Sequence, residues 1–151
     1  DFDYASGNLD GLKISDAGND GLDFMNSEFK VTDFDIDNTN DKGISVGESS
    51  TLKIAQGKIK KTNIGIAIKD ASRLNADGLK IYENEIAVDL YVKHKLYGSP
   101  GSLSVSNTKF KANEVNLRTE EGAEVEFLGQ AIPPKVIGDG SVSVKKIKDS
   151  R

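Results

Sequence analysis

Few side chains in this chain could carry chemistry. Among its 151 residues there is a single histidine, His94, and no cysteine, so thiol catalysis, disulfides and cysteine-based metal sites are excluded. A histidine acting as base needs a nucleophile placed beside it, and no Ser or Cys is marked out as a partner for His94. Carboxylates are plentiful, 24 acidic against 20 basic side chains, but acid–base cleavage of a glycosidic bond needs two of them about 5–9.5 Å apart. Asp23 and Asp89, the alternating Asp33, Asp35 and Asp37, and the pair Glu48 and Asp70 are the acidic groups to place. A second set mixes an aromatic ring with charged donors: Lys69, Asp89, Tyr91 and Arg118, with His94 and Tyr97 nearby in sequence. Such a patch could receive a sugar ring or an acidic polysaccharide. Where these residues sit depends on how the chain repeats.

The repeat is legible. Gly21-Leu22-Asp23-Phe24, Gly43-Ile44-Ser45-Val46, Gly65-Ile66-Ala67-Ile68 and Ala87-Val88-Asp89-Leu90 begin 22 residues apart, and Glu114-Val115-Asn116-Leu117 follows after 27. Each unit has two further apolar alternations, such as Phe29/Val31 then Phe34/Ile36, and Leu52/Ile54 then Gly57/Ile59. Alternation with period two marks a strand with one buried face. Strands of about three residues cannot offset their own ordering entropy. Stacked as coils, they pair in parallel and share one interior. The expected fold is all-β: a parallel β-helix of about five coils of ~22 residues, each with three short strands. A leucine-rich repeat is the rival, since Leu79-x-Ile81-x-x-Asn84 imitates its motif, but that fold has one strand per unit. Asn40, Asn63, Asn84 and Asn113 fall in matching turns, where Asn tolerates left-handed backbone and can bond to its copy one coil away.

In this register Leu22, Ile44, Ile66, Val88 and Val115 form one internal row, and Phe24, Val46, Ile68, Leu90 and Leu117 the next. Outward, Asp23, Ser45, Ala67, Asp89 and Asn116 form one column, and Met25, Gly47, Lys69, Tyr91 and Arg118 its neighbour. Asp23 and Asp89 are three coils, about 14 Å, apart, too far for a catalytic pair. Glu48 and Asp70 occupy matching turn positions that a calcium ion could bridge. Asp33, Asp35 and Asp37, with no basic companion, are read as solubilising. The patch of Lys69, Asp89, Tyr91 and Arg118 lies beside the only sizeable insertion: 12 residues separate Leu90 from Leu103, where the two preceding coils have five. Inserted loops on solenoids often carry binding.

Phrases such as Asp41-Lys42-Gly43-Ile44-Ser45-Val46-Gly47-Glu48 and Ile64-Gly65-Ile66-Ala67-Ile68-Lys69-Asp70-Ala71-Ser72 resemble right-handed parallel β-helix repeats of the pectate-lyase-like superfamily, over roughly residues 7–128. The likeness is closest to β-helix segments of exported bacterial proteins without catalysis. It implies a right-handed solenoid. That superfamily's hydrolases use clustered Asp residues on adjacent coils, and its lyases use calcium with an Arg or Lys base.

The chain is therefore expected to be a single domain over 1–151, with coils at 7–127 and a closing cap at 128–148, where Val142, Val144 and Ile147 offer a last strand. The half-coil of Leu9, Leu12 and Ile14 lacks preceding strands, which implies an upstream domain or another subunit at that end. The net charge of −4 disfavours nucleic acid, and the basic run Lys145, Lys146, Lys148 reads as a solvated tail. No apolar run reaches membrane-spanning length. The expected role is a non-catalytic scaffold or interaction domain of an exported or cell-surface protein, without cofactor or metal. The alternatives are a carbohydrate-binding module and a fragment of a polysaccharide lyase or hydrolase.

Overall fold

In the computed structural model, which describes residues 1–147, the chain winds into a parallel β-solenoid. One sheet stacks β1 (Phe2–Asp3), β3 (Leu22–Met25), β5 (Lys42–Gly47), β7 (Ile64–Lys69), β10 (Ile86–Tyr91), β13 (Val115–Thr119) and β15 (Val136–Gly138). The other contains β2 (Ser6–Ser15), β4 (Glu28–Asp37), β6 (Thr51–Lys60), β8 (Ser72–Asp77), β9 (Lys80–Tyr82), β11 (Gly101–Ser106), β12 (Lys109–Lys111), β14 (Glu124–Leu128) and β16 (Ser141–Lys145). There are about six turns rather than five. Phe2 and Asp3 supply the strand that the first coil was expected to lack. The segment expected to form a cap continues both ladders as β15 and β16; its last residue, Lys148, lies outside the described residues.

The apolar alternations point inward as the pattern requires. Ile44, Ile66 and Val88 are 0%, 1% and 2% exposed. Phe2, Phe24 and Phe29 cluster at the first coils, with ring centroids 4.6–5.2 Å apart. Among the described residues the single helical element is one 3-10 turn, Lys95–Tyr97, in the insertion.

The second and third expected strands are one ten-residue strand in β2, β4 and β6, bent at one left-handed residue: Gly11, Asp33 and Gln56, with φ of 70°, 52° and 57°. In the next two coils the bend, at Gly78 and Asn107, separates β8 from β9 and β11 from β12. Left-handed columns also mark the other corners: Tyr4, Asn26, Glu48 and Asp70 at one, Asp16, Asn38, Lys61, Glu83 and Ala112 at the other. Fifteen described non-glycine residues have positive φ. At about 1 kcal/mol each they would cancel much of a domain's net stability. Stacking must therefore impose these corners, each copy bonded to the next coil, as in Asn38 N–H to Lys60 O and Lys61 N–H to Glu83 O.

Buried polar ladders line two corners. The Ser27, Ser50 and Ser72 hydroxyls accept from the backbone N–H of Ala5, Ser27 and Ser50, all at 3.1 Å. At the other, Asn84 Oδ1 accepts from the Thr62 N–H (3.0 Å) and hydroxyl (2.8 Å), while Asn113 Oδ1 accepts from the Asn84 N–H (3.0 Å). Thr39 and Thr62, rather than Asn40 and Asn63, share that buried column; the two asparagines sit one residue on and are exposed. Threonine offers the hydroxyl and a methyl, so a buried slot there does not demand an amide.

One register differs from the sequence expectation. Val88 pairs with Leu117 and Asp89 with Arg118, a step of 29 rather than 27. The inward rows therefore continue Val88–Leu117 and Leu90–Thr119, and Asn116 leaves the outward column in favour of Arg118. A two-residue slip preserves which side chains face inward, so alternation alone could not detect it. The step of 29 is the 22-residue coil plus the seven-residue insertion, and Leu74–Leu103 and Asn84–Asn113 obey it too.

Candidate functional site

The 29-residue step builds the site. It sets Arg118 directly over Asp89, with Nε 3.1 Å from Oδ1 and Nη2 2.5 Å from Oδ2. The Asp89 side chain is 3% exposed and that of Arg118 46%. A planar fork of two charge-assisted bonds is the strong form of this pairing. The hydrogen bond to Asp89 raises the Arg118 pKa. Below Asp89 in the same column are Ala67 and Ser45, both wholly buried.

The result is a groove of about 600 Å³ on the outer face of the first sheet, lined by Asp89, Tyr91 and Arg118 together with Asp41, Lys42 and Glu120. Burial pushes the Tyr91 phenol up, Lys42 pulls it down, and Asp89, Asp41 and Asp20 raise it. The hydroxyl therefore stays protonated and can donate. Burial works to lower Lys42, but its hydrogen bond to Asp41 (2.5 Å) and the charge of Asp20 outweigh this and raise it. Glu120 Oε2 accepts the Val92 N–H at 3.0 Å, which ties the groove's rim to the start of the insertion. Asp41, Lys42 and Glu120 were not singled out in the sequence. Glu120 follows Tyr91 by the same 29, so the corrected step would have found it.

Lys69, His94 and Tyr97, the other members of the expected patch, do not line the groove. Lys69 packs its stem over Gly47, where an added Cβ would lie 2.8 Å from Lys69 Cε. His94 Nε2 is 3.3 Å from Glu48 Oε1, and its ring centroid is 6.5 Å from that of Tyr97. Buried Asp70 accepts the Lys93 and His94 N–H groups through Oδ1, both at 2.8 Å. Glu48 and Asp70 thus anchor the insertion. Among the described residues no three His, Cys, Asp or Glu side chains group as a metal site. Asp35 and Asp37, read as lacking basic companions, have them: Asp35 stacks between Lys13 and Lys58, and Asp37 Oδ2 is 3.7 Å from Lys60 Nζ.

Lys69 is 8% exposed, and burial, with Lys93 adding to it, lowers its pKa. A lysine with a lowered folded pKa costs stability wherever the unfolded chain would hold its proton more readily. That cost is full below the lowered folded pKa and disappears as pH rises towards the unfolded value, 10.5. Lys69→Met keeps the stem and removes the charge. It is expected to raise Tm by about 2–4 °C at neutral pH, with the difference shrinking by pH 10 in thermal melts; an unchanged or lower Tm at neutral pH would contradict the cost.

A family model described as a right-handed β-helix region matches residues 2–133. A search of curated proteins finds no match to the chain.

Proposed function

Because the chain belongs to the right-handed β-helix family, we propose that it is a non-catalytic interaction domain of a larger exported or cell-surface protein, with the first-sheet groove as its ligand surface. The observation that carries this reading is the two-bond fork that Arg118 makes to the buried Asp89. Both Asp89 oxygens are engaged, so the one acidic side chain in the groove floor is held as an acceptor partner rather than free as a base. What the groove still offers is a protonated phenol, the face of Tyr91, and fixed donors and acceptors around it. Few convergent polar groups beside an aromatic surface suit recognition of a small polar ring, and we assign the ligand as a saccharide. In the groove Asp41, Asp89 and Glu120 outnumber Lys42 and Arg118, which favours the hydroxyls of an uncharged sugar over a uronate carboxylate.

Glycan-array binding with the whole chain tests this. Wild type is expected to retain one or more uncharged saccharides, and Tyr91→Ala to lose about tenfold or more in affinity, roughly 1.4 kcal/mol. No unsaturated products or new reducing ends should form from uronate polymers. Product release would overturn the non-catalytic reading. Absence of any retention would remove the saccharide and leave a scaffold.

A further inference from the structure

The insertion leaves one lysyl peptide bond of the solenoid open to solvent. Lys93, His94, Lys95 and Leu96 are all exposed, Leu96 at 97%. Of the other lysines and arginines up to Arg118, all but Lys61 sit in strands of the parallel ladders. Lys61 and Lys135 lie at corners tied to a neighbouring coil: the Lys61 N–H donates to Glu83 O at 3.2 Å, and Lys135 O accepts from the Asn116 N–H at 3.0 Å. Within the insertion the two lysyl bonds differ. Lys93–His94 is pinned, because Asp70 Oδ1 accepts both N–H groups. At Lys95–Leu96 the Leu96 N–H has no partner among the described residues, and Lys95 O accepts only the Gly98 N–H, inside its own turn, at 3.1 Å.

A protease takes its substrate as an extended strand, so the bonds that hold the loop set its rate. The Val92 N–H on Glu120 and the Lys93 and His94 N–H groups on Asp70 must open. Losing three such bonds should slow cutting about a hundredfold relative to an unstructured peptide. The turn at Lys95–Tyr97 buries no residue, so its opening uncovers no core. Cutting inside a ladder would instead require the coils to separate, which draws on far more of the global stability.

We propose that the insertion is a processing site for a serine protease whose acidic specificity pocket accepts lysine, with Lys95–Leu96 as the scissile bond. Hydrolysis consumes one water and breaks the C–N bond, leaving a carboxylate on Lys95 and an ammonium on Leu96. The cut chain persists as a two-chain solenoid. Residues 1–95 and 96–151 remain joined by three parallel ladders, β8 with β11, β9 with β12 and β10 with β13. Leu103, Val105 and Leu117, at most 3% exposed, are buried in the core that the two pieces share. The groove then lies at the junction, with Asp89 and Tyr91 from one piece and Arg118 and Glu120 from the other, and the Asp89–Arg118 fork bridges the two. The inference does not depend on what the groove binds.

Limited digestion of the whole folded chain with trypsin, followed by mass spectrometry, tests it. The first cut before residue 145 is expected after Lys95. Lys95→Gln should slow that first cut about tenfold or more, and Lys93→Gln should change its rate by less than about twofold. Asp70 has a φ of 55°, which glycine tolerates, so Asp70→Gly removes the pin without backbone strain and should speed cutting about tenfold. Size-exclusion chromatography of the cut protein should give one peak holding both pieces in native buffer and two in urea. A first cut elsewhere before residue 145, an unchanged rate in Lys95→Gln, or separation of the pieces in native buffer would overturn the proposal.

Discussion

Gly57→Leu is expected to cost about 3 kcal/mol or more of unfolding free energy, and Phe34→Ala about 3–5 kcal/mol, yet the double variant should cost far less than the sum. The inward column reads Leu12, Phe34, Gly57, Leu79. Phe34 fills its own rung and the one above: a Cβ added to Gly57 would fall 2.0 Å from Phe34 Cζ. Gly57 carries no left-handed φ, so the penalty is steric. Removing the ring empties the space that the introduced leucine side chain would need. The coupling between the two sites should reach about 2–3 kcal/mol in a urea-denaturation cycle. Additive effects would mean that Phe34 and Gly57 are not stacked.

Asn84→Ala is expected to cost about 3 kcal/mol or more, because one amide serves two coils. Its Oδ1 accepts from the Thr62 N–H and hydroxyl, and its Nδ2 donates to Ile59 O (3.3 Å) and Asn113 Oδ1 (3.1 Å). Asn84 is 3% exposed, so alanine strands buried groups that water cannot reach easily. Asn84→Asp keeps the acceptor but loses the donors and sets a carboxylate against Asn113 Oδ1, so it should be at least as damaging at neutral pH. Denaturant melts of the two variants check this; a loss below about 1 kcal/mol for Asn84→Ala would mean that the ladder is not a structural element.

Much of the solenoid can be read from the residues because each coil repeats the same alternation. Leu22, Ile44, Ile66 and Val88 are recognisable as one row from spacing alone, and they are buried as one row. Three features are hidden for physical reasons. Register across the insertion is ambiguous by multiples of two, because inward and outward faces do not change; spacing alone therefore puts Arg118 beside Tyr91 instead of over Asp89. The corners use Asp33, Gln56 and Lys61 in left-handed conformations that their side chains do not advertise. Phe2 lies in a strand of two residues, too short for any period. Of the candidate residues, Asp89, Tyr91 and Arg118 converge in the groove, while Lys69, His94 and Tyr97 do not, since the insertion folds back onto Glu48 and Asp70.

Everything assigned to the outer faces depends on coils lying in register across the insertion. The chain has no cysteine, so a pair introduced for cross-linking reports without interference. Asp89→Cys/Arg118→Cys places the thiols on residues paired directly across neighbouring strands, within disulfide reach, whereas Asp89→Cys/Asn116→Cys separates the Cα atoms by about 8 Å, beyond it. Mild oxidation of the purified monomer, read by mass spectrometry, should form the intramolecular bond in the first variant and not in the second. Bond formation in the second variant alone would contradict the stacking on which the groove rests.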